Sequence, residues 1–383
     1  MPTASALLPL WNRAAEWERR LAMVRSARSF LYLTTFYIEH DAYGTGMLSA
    51  LIEAQRRGVA VTLLVDAFGQ RLGGVLMSRA QRAALAQAFG ALRSAGGRVT
   101  FYQPPFRAQR VLGGGQHVKI QVSDAGEAIF ASSNITKSSF EGWNEYAVAV
   151  RGPIARTLLE SCRELGAWVD PVHVDRLGAA VDDEATNLDL DYWLCNPNRH
   201  QGWMGPLGWT GPNVVTDRMI DMADAAQRSL QITSFYFKPI PPLLDAVLRA
   251  AGRGVRVEVY HSHRDALPAT DLAWIGAAAN YARLLNAGVV IYENLHGEHS
   301  KIVVVDDAWA AFGSYNFEDA AHDRLAEAML ASSDPRAIDP ARAIIDELRG
   351  HPDNLRVTRE SFDRLPARVK TRIARYGRFK WWI

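Results

Sequence analysis

Two histidine–lysine pairs recur in the chain, each with the same polar residues at the same spacing behind it. Counting from the histidine, a Lys lies at +2, an Asp at +7, a Ser at +15, an Asn at +17 and a Glu at +28 in both places. The first set is His117, Lys119, Asp124, Ser132, Asn134 and Glu145. The second set is His299, Lys301, Asp306, Ser314, Asn316 and Glu327. Six matching residue types at equal spacing argue against an ordinary solvated strand face.

The residue types in these two sets suit chemistry on a phosphate ester. Imidazole titrates near neutrality, so it can attack phosphorus or move a proton. Ammonium and amide groups bind phosphoryl oxygens. Only six of the 43 Lys and Arg residues are Lys, yet both sets use Lys at +2. The remaining alternative is an old duplication that kept the fold and lost the chemistry.

The two sets resemble the signature of the phospholipase D superfamily, HxKx4D followed by GSxN, once in each half. The resemblance extends over most of residues 25–335, and Phe312-Gly-Ser-Tyr-Asn316 gives the more complete second copy. The first copy has Ala131 where the signature has Gly. The pattern is most similar to bacterial cardiolipin synthases and related phosphatidyltransferases, in Trp143-Asn-Glu-Tyr-Ala-Val, Arg253-Gly-Val and the second motif.

Two halves packed face to face would supply a nucleophile and a general acid, because each half has one such histidine. One imidazole would form a phosphohistidine, and the other would protonate the leaving alcohol. The resemblance implies that His117 is the nucleophile, whereas the symmetric sequence leaves this open. No metal or cofactor is expected, since lysines supply the positive charge. The phosphoryl oxygens would be held by Lys119, Lys301, Asn134 and Asn316.

The carboxylates and serines of the two sets are expected to support the histidines. Glu145 and Glu327 would each accept a hydrogen bond from the histidine of their own half and so fix its tautomer. The expected structural partners near the site are Asp124, Asp306, Ser132 and Ser314.

The substrate class stays open between three interpretations. A phospholipid such as phosphatidylglycerol fits the cardiolipin synthase resemblance. A nuclease of the same superfamily would want a basic groove. The net charge is +2, and residues 364–383 alone contribute +7, which leaves −5 for the rest of the chain and argues against nucleic acid as a partner. The third interpretation is a phospholipid-binding module with idle histidines.

The elements that position these residues alternate between strands and helices and repeat in the second half. Thr34-Thr-Phe-Tyr37 is echoed by Thr233-Ser-Phe-Tyr236, which predicts an α/β fold of two similar halves. Each half would contain a mainly parallel mixed sheet flanked by helices, with the active site between the halves. The predicted divisions are 1–175, a linker or loop region at 176–216, 217–350, and a basic aromatic segment at 351–383.

Composition also indicates the compartment in which the protein works. Cys162 and Cys195 are the only cysteines, which suits a reducing compartment. No apolar run is long enough to span a bilayer, so the expectation is a cytoplasmic protein, peripheral at the inner face of the membrane. The C-terminal segment interleaves cations with aromatics, which is typical of a membrane interface. Contact with an anionic surface would involve Phe379, Trp381 and Trp382, and docking of these aromatics on the protein itself is the alternative.

Overall fold

The chain folds into two mixed β-sheets covered by helices, one sheet for each half of the sequence. The computed structural model describes residues 3–181, 185–199, 211–267 and 270–377. The strands of the first half are β1 (Ala6–Leu10), β2 (Phe30–Thr35), β3 (Ala60–Asp66), β4 (Arg98–Tyr102), β5 (Gly115–Gln116), β6 (Lys119–Ser123), β7 (Glu127–Ala131) and β8 (Ala147–Arg151). Its helices are α1 (Arg13–Ser26), α2 (Ala42–Arg56), α3 (Ala67–Val75), α4 (Arg79–Ser94), α5 (Arg107–Val111), α6 (Pro153–Glu164) and α7 (Pro171–Val181).

The second half repeats the arrangement. Its strands are β9 (Asp191–Cys195), β10 (Ser229–Thr233), β11 (Arg256–Ser262), β12 (Val290–Asn294), β13 (Ile302–Val305), β14 (Trp309–Gly313), β15 (Leu325–Ser332) and β16 (Asn354–Val357). Its helices are α8 (Val214–Ala225), α9 (Pro241–Gly252), α10 (Leu272–Ala278), α11 (Tyr281–Asn286), α12 (Asp319–Asp323), α13 (Pro335–Gly350), α14 (Arg359–Asp363) and α15 (Ala367–Tyr376).

Local sequence explains where several helices begin. Asp41 precedes α2, and its Oδ1 accepts hydrogen bonds from the backbone amides of Tyr43 and Gly44. Ser78 precedes α4 and forms a reciprocal capping box with Gln81. These side chains satisfy amide groups that the first helical turn leaves without partners.

Strand order is equivalent in the two sheets. Across the described residues, the first sheet has the order β1-β8-β7-β6-β2-β3-β4, and the second has β16-β12-β11-β10-β13-β14-β15-β5, with β9 also paired to β15. Strands β2, β3 and β4 therefore correspond to β10, β11 and β12, and β6, β7 and β8 correspond to β13, β14 and β15. The predicted α/β fold of two similar halves with mixed sheets is confirmed.

The expectation of mainly parallel sheets is wrong. In the first sheet only the β2–β3 and β3–β4 pairs are parallel, and the other pairs are antiparallel. Helical crossovers join the parallel strands, whereas three residues join β6 to β7 and β13 to β14. A connection this short forces an antiparallel pair. Asp306 and Asp307 adopt positive φ values of 55° and 54° in the second of these turns.

A shared apolar layer lies between the halves. The buried side chains of β6, β7 and β8 form one hydrophobic cluster with those of β13, β14 and β15. Tyr146 and Phe312 contact each other edge to face, with 5.3 Å between ring centroids. A Cβ at Gly313 would lie 2.4 Å from the carbonyl oxygen of Ala328, so this position needs glycine. Ala131 occupies the equivalent position of the first half and is buried.

Two predicted segments differ from expectation or lie outside the described residues. The 176–216 region was expected to be loop, yet β9 lies in it and pairs with β15. Residues 182–184 and 200–210 of this region lie outside the described residues, as do Phe379, Trp381 and Trp382. Among the helices described, none is both long and apolar enough to cross a membrane.

Candidate active site

The two motif histidines lie just before the equivalent strands β6 and β13, each held by backbone of the other half. The backbone amide of His117 donates to the carbonyl oxygen of Ala326 at 2.8 Å, and that of His299 donates to Asn144 at 2.8 Å. Strand β5 also pairs with β15, at Gly115–Leu325 and Gln116–Ala326. The chain that leads into each histidine therefore runs beside the glutamate segment of the opposite half.

Each histidine bonds the glutamate of the opposite half, so the expectation of pairing within a half is wrong. His117 Nδ1 lies 3.0 Å from Glu327 Oε1, and His299 Nδ1 lies 2.8 Å from Glu145 Oε2. Both carboxylates are fully buried. The exchange follows from the backbone pairing between halves, which places residues 144–145 beside 298–299 and residues 326–327 beside 116–117.

The motif serines hold the two glutamates. Ser132 Oγ donates to Glu145 Oε2 at 2.5 Å, and Ser314 Oγ donates to Glu327. The halves differ at one further position, because Ser139 Oγ donates to Glu145 Oε1 at 2.7 Å. The equivalent residue of the second half, 182 positions later like His299 after His117, is Ala321, which has no hydroxyl. Glu145 therefore has one side-chain donor more than Glu327.

The two carboxyl groups also differ in pKa. Burial alone would raise the pKa of Glu145, but the contact with His299, together with Lys301 and Ser132, stabilises the carboxylate and lowers its pKa to about 2. Burial raises the pKa of Glu327 to about 8, against the opposing effects of Lys119 and Ser314. The structure thus favours a charged carboxylate beside His299 and a protonated carboxyl beside His117.

Burial and the neighbouring lysines keep both imidazoles neutral. The pKa of His299 is lowered to about 3, mainly by burial, and that of His117 is lowered well below its ordinary value for the same reason. Burial also lowers the pKa of Lys301 to about 8 and lowers the pKa of Lys119. The pKa values of these two histidines and two lysines will therefore change when a charged substrate enters the site.

The two motif lysines are buried directly beneath the histidines. Lys119 Nζ donates to the carbonyl oxygen of His117 at 2.5 Å, and Lys301 Nζ donates to that of His299 at 2.5 Å. An ammonium group has three N–H donors, so each lysine retains two for other acceptors.

The motif asparagines line the same cavity as the histidines. Asn134 Oδ1 accepts from Thr35 Oγ1 at 3.4 Å, and Asn316 Nδ2 donates to Glu318 at 3.4 Å. Asn316 Oδ1 is buried and has no hydrogen-bond partner among the described residues. The structure therefore brings His117, His299, Asn134 and Asn316 to one cavity.

Asp124 and Asp306 lie away from the histidines, which corrects the expectation that they are near the site. Asp124 accepts hydrogen bonds from the backbone amides of Arg28 and Ser29. Asp306 accepts from the backbone amides of Gln227, Arg228 and Ser229. Asp124 directly follows β6 and Asp306 directly follows β13, at the strand end remote from the histidine. Their hydrogen bonds hold these turns against the start of β2 and of β10.

Aromatic rings that sequence reasoning did not assign to the site surround the histidines. Phe36 and Phe235 contact His117 and His299 edge to face, each at 4.7 Å between centroids. Trp143 stacks on His299 at 5.0 Å, and Leu325 occupies the equivalent position of the second half. The repeated Thr-Thr-Phe-Tyr and Thr-Ser-Phe-Tyr segments were the signal that could have identified both phenylalanines.

The cavity above these residues has a polar floor and apolar walls. Its volume is about 410 Å³. One wall comes from the first half, at Leu72, Gly73, Val75 and Leu76, and the other from the second half, at Leu267, Thr270, Leu272 and Ala273. The walls belong to segments that carry no motif residue.

The fold and the paired histidines define a phospholipase D-like protein. The family described as "Cardiolipin synthase, PLD-like domain" matches residues 21–165 and 219–349, and the chain belongs to this family. Cardiolipin synthase B of Salmonella typhi is 27% identical over 313 residues, which cover 77% of this chain and 68% of that protein. Cardiolipin synthase of Geobacillus kaustophilus is 26% identical over 329 residues, covering 82% of this chain and 60% of that protein.

Solved structures share the fold at low sequence identity. The phosphatidylserine synthase of Haemophilus influenzae Rd KW20 superposes with a TM-score of 0.74 and 16% identity, covering 100% of this chain and 96% of that chain. The polyphosphate kinase of Porphyromonas gingivalis superposes with a TM-score of 0.55 and 13% identity, covering 99% of this chain and 56% of that chain.

Proposed function

We propose that this protein is a phosphatidyltransferase that moves a phosphatidyl group from a phospholipid to an alcohol through a phosphohistidine. The observation that carries the proposal is that two histidines line one cavity while each binds a carboxylate through Nδ1. The charged Glu145 accepts from His299 Nδ1, and the carbonyl oxygen of Ser314, which can only accept, lies 3.1 Å from His117 Nδ1. Both Nδ1 atoms therefore carry a hydrogen, which leaves Nε2 available to a substrate. Both imidazoles are thus prepared for attack or proton transfer.

In the first step, Nε2 of His117 attacks the phosphorus and forms a P–N bond. The P–O bond to the leaving alcohol breaks, and its electron pair stays on the oxygen. His299 enters this step as an imidazolium, formed when the negatively charged substrate binds, and it donates its Nε2 proton to that oxygen as it departs. In the second step, neutral His299 takes the proton of the incoming alcohol, whose oxygen attacks phosphorus. The P–N bond breaks, and His117 returns to its starting state.

The difference between the two carboxyl groups supports this division of roles. A general acid must be protonated before it acts, and the charged carboxylate of Glu145 stabilises an imidazolium at His299. The entering phosphodiester adds a further negative charge, which raises the low pKa of this histidine. Glu327 has a raised pKa, so it stabilises an imidazolium at His117 less, and a neutral imidazole is the form that attacks phosphorus.

The remaining motif residues would bind the phosphoryl oxygens. Lys119 and Lys301 are preorganised by their bonds to the histidine carbonyl oxygens, so their remaining N–H donors can stabilise charge that develops in the transition state. Asn134 and Asn316 would complete the set from the cavity wall. The lysines provide the positive charge, and the scheme requires no metal or cofactor.

The apolar cavity walls and the named relatives support a lipid substrate. Leucine and valine side chains beside a phosphate-binding floor suit acyl or glycerol groups better than a nucleotide strand. Relatives named as cardiolipin synthases favour phosphatidylglycerol or a similar donor. The protein would work at the cytoplasmic face of the membrane, with Phe379, Trp381 and Trp382 as additional contacts to an anionic surface.

Purified protein incubated separately with phosphatidylglycerol, phosphatidylethanolamine and single-stranded DNA tests the proposal when all products are resolved by mass. We expect a transphosphatidylation product from phosphatidylglycerol, an unchanged rate in the presence of a chelator, and intact DNA. Cleaved DNA with intact lipid would contradict the proposal in favour of a nuclease. No product from any of the three would favour a binding module.

A further inference from the structure

A long segment of the first half carries only positive charge. Residues 67–123 contain no Asp or Glu, although the chain as a whole has 43 basic and 41 acidic residues. Apart from the catalytic-site residue Lys119, the charged residues of this segment are Arg71, Arg79, Arg82, Arg93, Arg98, Arg107 and Arg110. The segment includes α3, α4 and α5, and it ends at the first motif.

These arginines are exposed and are not neutralised by carboxylates. All seven have exposed side chains, and none forms a salt bridge with a carboxylate among the described residues. Arginines elsewhere are commonly paired, as Arg249 is with Asp224, Arg336 with Asp334 and Arg372 with Asp271. The segment therefore presents uncompensated positive charge to the solvent.

Large apolar side chains are exposed between these arginines. Their exposed fractions run from 41% to 76% at Leu72, Val75, Leu76, Phe106 and Val111. We call α3, Leu76 and α5 with their exposed side chains the α3–α5 face. Exposed apolar residues grouped in this way mark a binding surface more often than isolated ones do.

The α3–α5 face adjoins the mouth of the catalytic cavity. Leu72 and Val75 line the cavity that contains both histidines. The same two residues line a neighbouring open hollow of about 1170 Å³, together with Arg71, Arg110 and Val111. A partner bound to the α3–α5 face would therefore lie directly against the entrance to the catalytic cavity.

We propose that the α3–α5 face docks on an anionic lipid bilayer and so presents the catalytic cavity to its lipid substrate. The proposal rests on the proposed function, because it gives the partner surface of the same site. Apolar side chains would enter the interfacial region while the arginines bind lipid phosphates, the combination typical of proteins that lie on membranes. Nucleic acid would explain the arginines and an exposed Phe106, but not the exposed aliphatic side chains of Leu72, Val75, Leu76 and Val111, which offer no stacking platform for bases.

A triple variant tests the face without touching the residues that line the catalytic cavity. Arg71→Gln, Arg107→Gln and Val111→Ser remove two cations and one exposed apolar side chain. The matched control is Arg56→Gln, Arg176→Gln and Val172→Ser, whose side chains are also exposed. The control residues lie at the opposite end of the first sheet: α2 ends at Arg56 just before β3, and His173 in α7 stacks on Phe30 at the start of β2.

Co-sedimentation with vesicles of phosphatidylglycerol and phosphatidylcholine, at low and high salt, measures docking. We expect the triple variant to bind about tenfold or more weakly than wild type at low salt, since each cation near an anionic surface contributes roughly fivefold. The control variant should bind like wild type. Turnover of a monodisperse short-chain phospholipid should be the same in all three proteins, which also confirms folding.

The two proposals fail in distinguishable ways. Equal vesicle binding by the triple variant and wild type would overturn the docking proposal, whatever the turnover. Weaker binding by the triple variant alone would support docking, even if wild type converted no phospholipid and the proposed function failed. Loss of single-stranded DNA binding with unchanged vesicle binding would also overturn docking and assign the face to nucleic acid.

Discussion

His299 Nδ1 and Glu145 Oε2 are 2.8 Å apart, although these residues belong to opposite halves of the chain. The same exchange joins His117 to Glu327 at 3.0 Å. Each half thus supplies the histidine of one pair and the carboxyl group of the other. The site is complete only when the halves are packed together, which explains why the shared apolar layer and the backbone pairing lie so close to the chemistry.

The two histidine–glutamate pairs have different roles, so variants of the two glutamates should respond differently to a change of leaving group. Glu145→Gln should weaken protonation by His299, so it should slow turnover of a natural phospholipid by about 10²-fold or more. With a p-nitrophenyl ester, whose leaving group departs without a proton, the first step should be nearly normal. Glu327→Gln keeps an uncharged group beside His117, as the protonated carboxyl is, so it should change the first step little for either substrate. Burst kinetics measure that step, and equal responses of the two variants with the natural phospholipid would contradict the assigned roles.

The raised pKa of Glu327 predicts a pH-dependent stability. Its folded-state pKa is about 8, against an ordinary value of 4.5, so between these values the folded protein holds a proton that the unfolded chain releases. The stability that this group contributes is full below pH 4.5 and is lost as the pH rises to about 8. Relative to wild type, Glu327→Gln should gain stability across this window, by up to about 1.4 kcal/mol per pH unit.

Denaturant unfolding at several pH values measures this difference, and Glu145→Gln is the control. The pKa of Glu145 is lowered to about 2, so its stabilisation is lost only below its ordinary value of 4.5. The difference between Glu145→Gln and wild type should therefore stay constant from pH 5 to 8. A constant difference for Glu327→Gln as well would show that Glu327 is charged in the folded protein.

Gly297 is predicted to be essential for the position of Trp143. Its φ is +120°, and a Cβ there would lie 2.3 Å from Trp143 Cδ1, whose ring stacks on His299. Gly297→Ala should cost about 1–3 kcal/mol of stability and reduce turnover. Gly254→Ala is the matched control, because Gly254 has φ +87° and no atoms within 4 Å of its Cβ position. Equal losses in the two variants would mean that backbone strain alone is responsible.

The last six residues are predicted to affect membrane binding and not folding. A chain that ends at Gly377 keeps the buried Val369 and Ile373, and it keeps the pair of hydrogen bonds from Arg372 to Asp271, each 2.6 Å long. Its thermal midpoint should match that of the full chain. Binding to anionic vesicles should weaken, while turnover of a soluble substrate persists. Unchanged vesicle binding, or a lower midpoint, would assign the terminal aromatics to packing on the protein.

The fold and the motif residues could be predicted because the repeat is strong. Twelve residues at equal offsets, and repeated strand and helix patterns, identify two equivalent halves. The exchange of glutamates could not be read from the offsets, since an equal +28 spacing is compatible with pairing within or between halves. The backbone pairing of β5 with β15 and of Asn144 with Glu298 decides it.

Other features of the site could not be predicted because spacing along the sequence does not show which residues are close in space. A strand rises about 3.3 Å per residue, so an Asp seven residues after a histidine lies roughly 20 Å from it, which is why Asp124 and Asp306 support turns far from the histidines. The cavity walls at Leu72 and Leu272 come from segments without motif residues. The role of Ser139 was hidden because its partner, Glu145, lies six residues away with no regular pattern between them.

The central claim is that His117 carries the covalent intermediate and His299 moves the proton. His299→Ala, mixed with a p-nitrophenyl ester of a short-chain phosphatidic acid and quenched rapidly, should accumulate a phosphatidyl adduct, because the base that activates the incoming alcohol is absent. Peptide mapping by mass should place the adduct on His117, and His117→Ala should form none. An adduct on His299 in the His117→Ala variant, or near-normal turnover by either variant, would contradict the account.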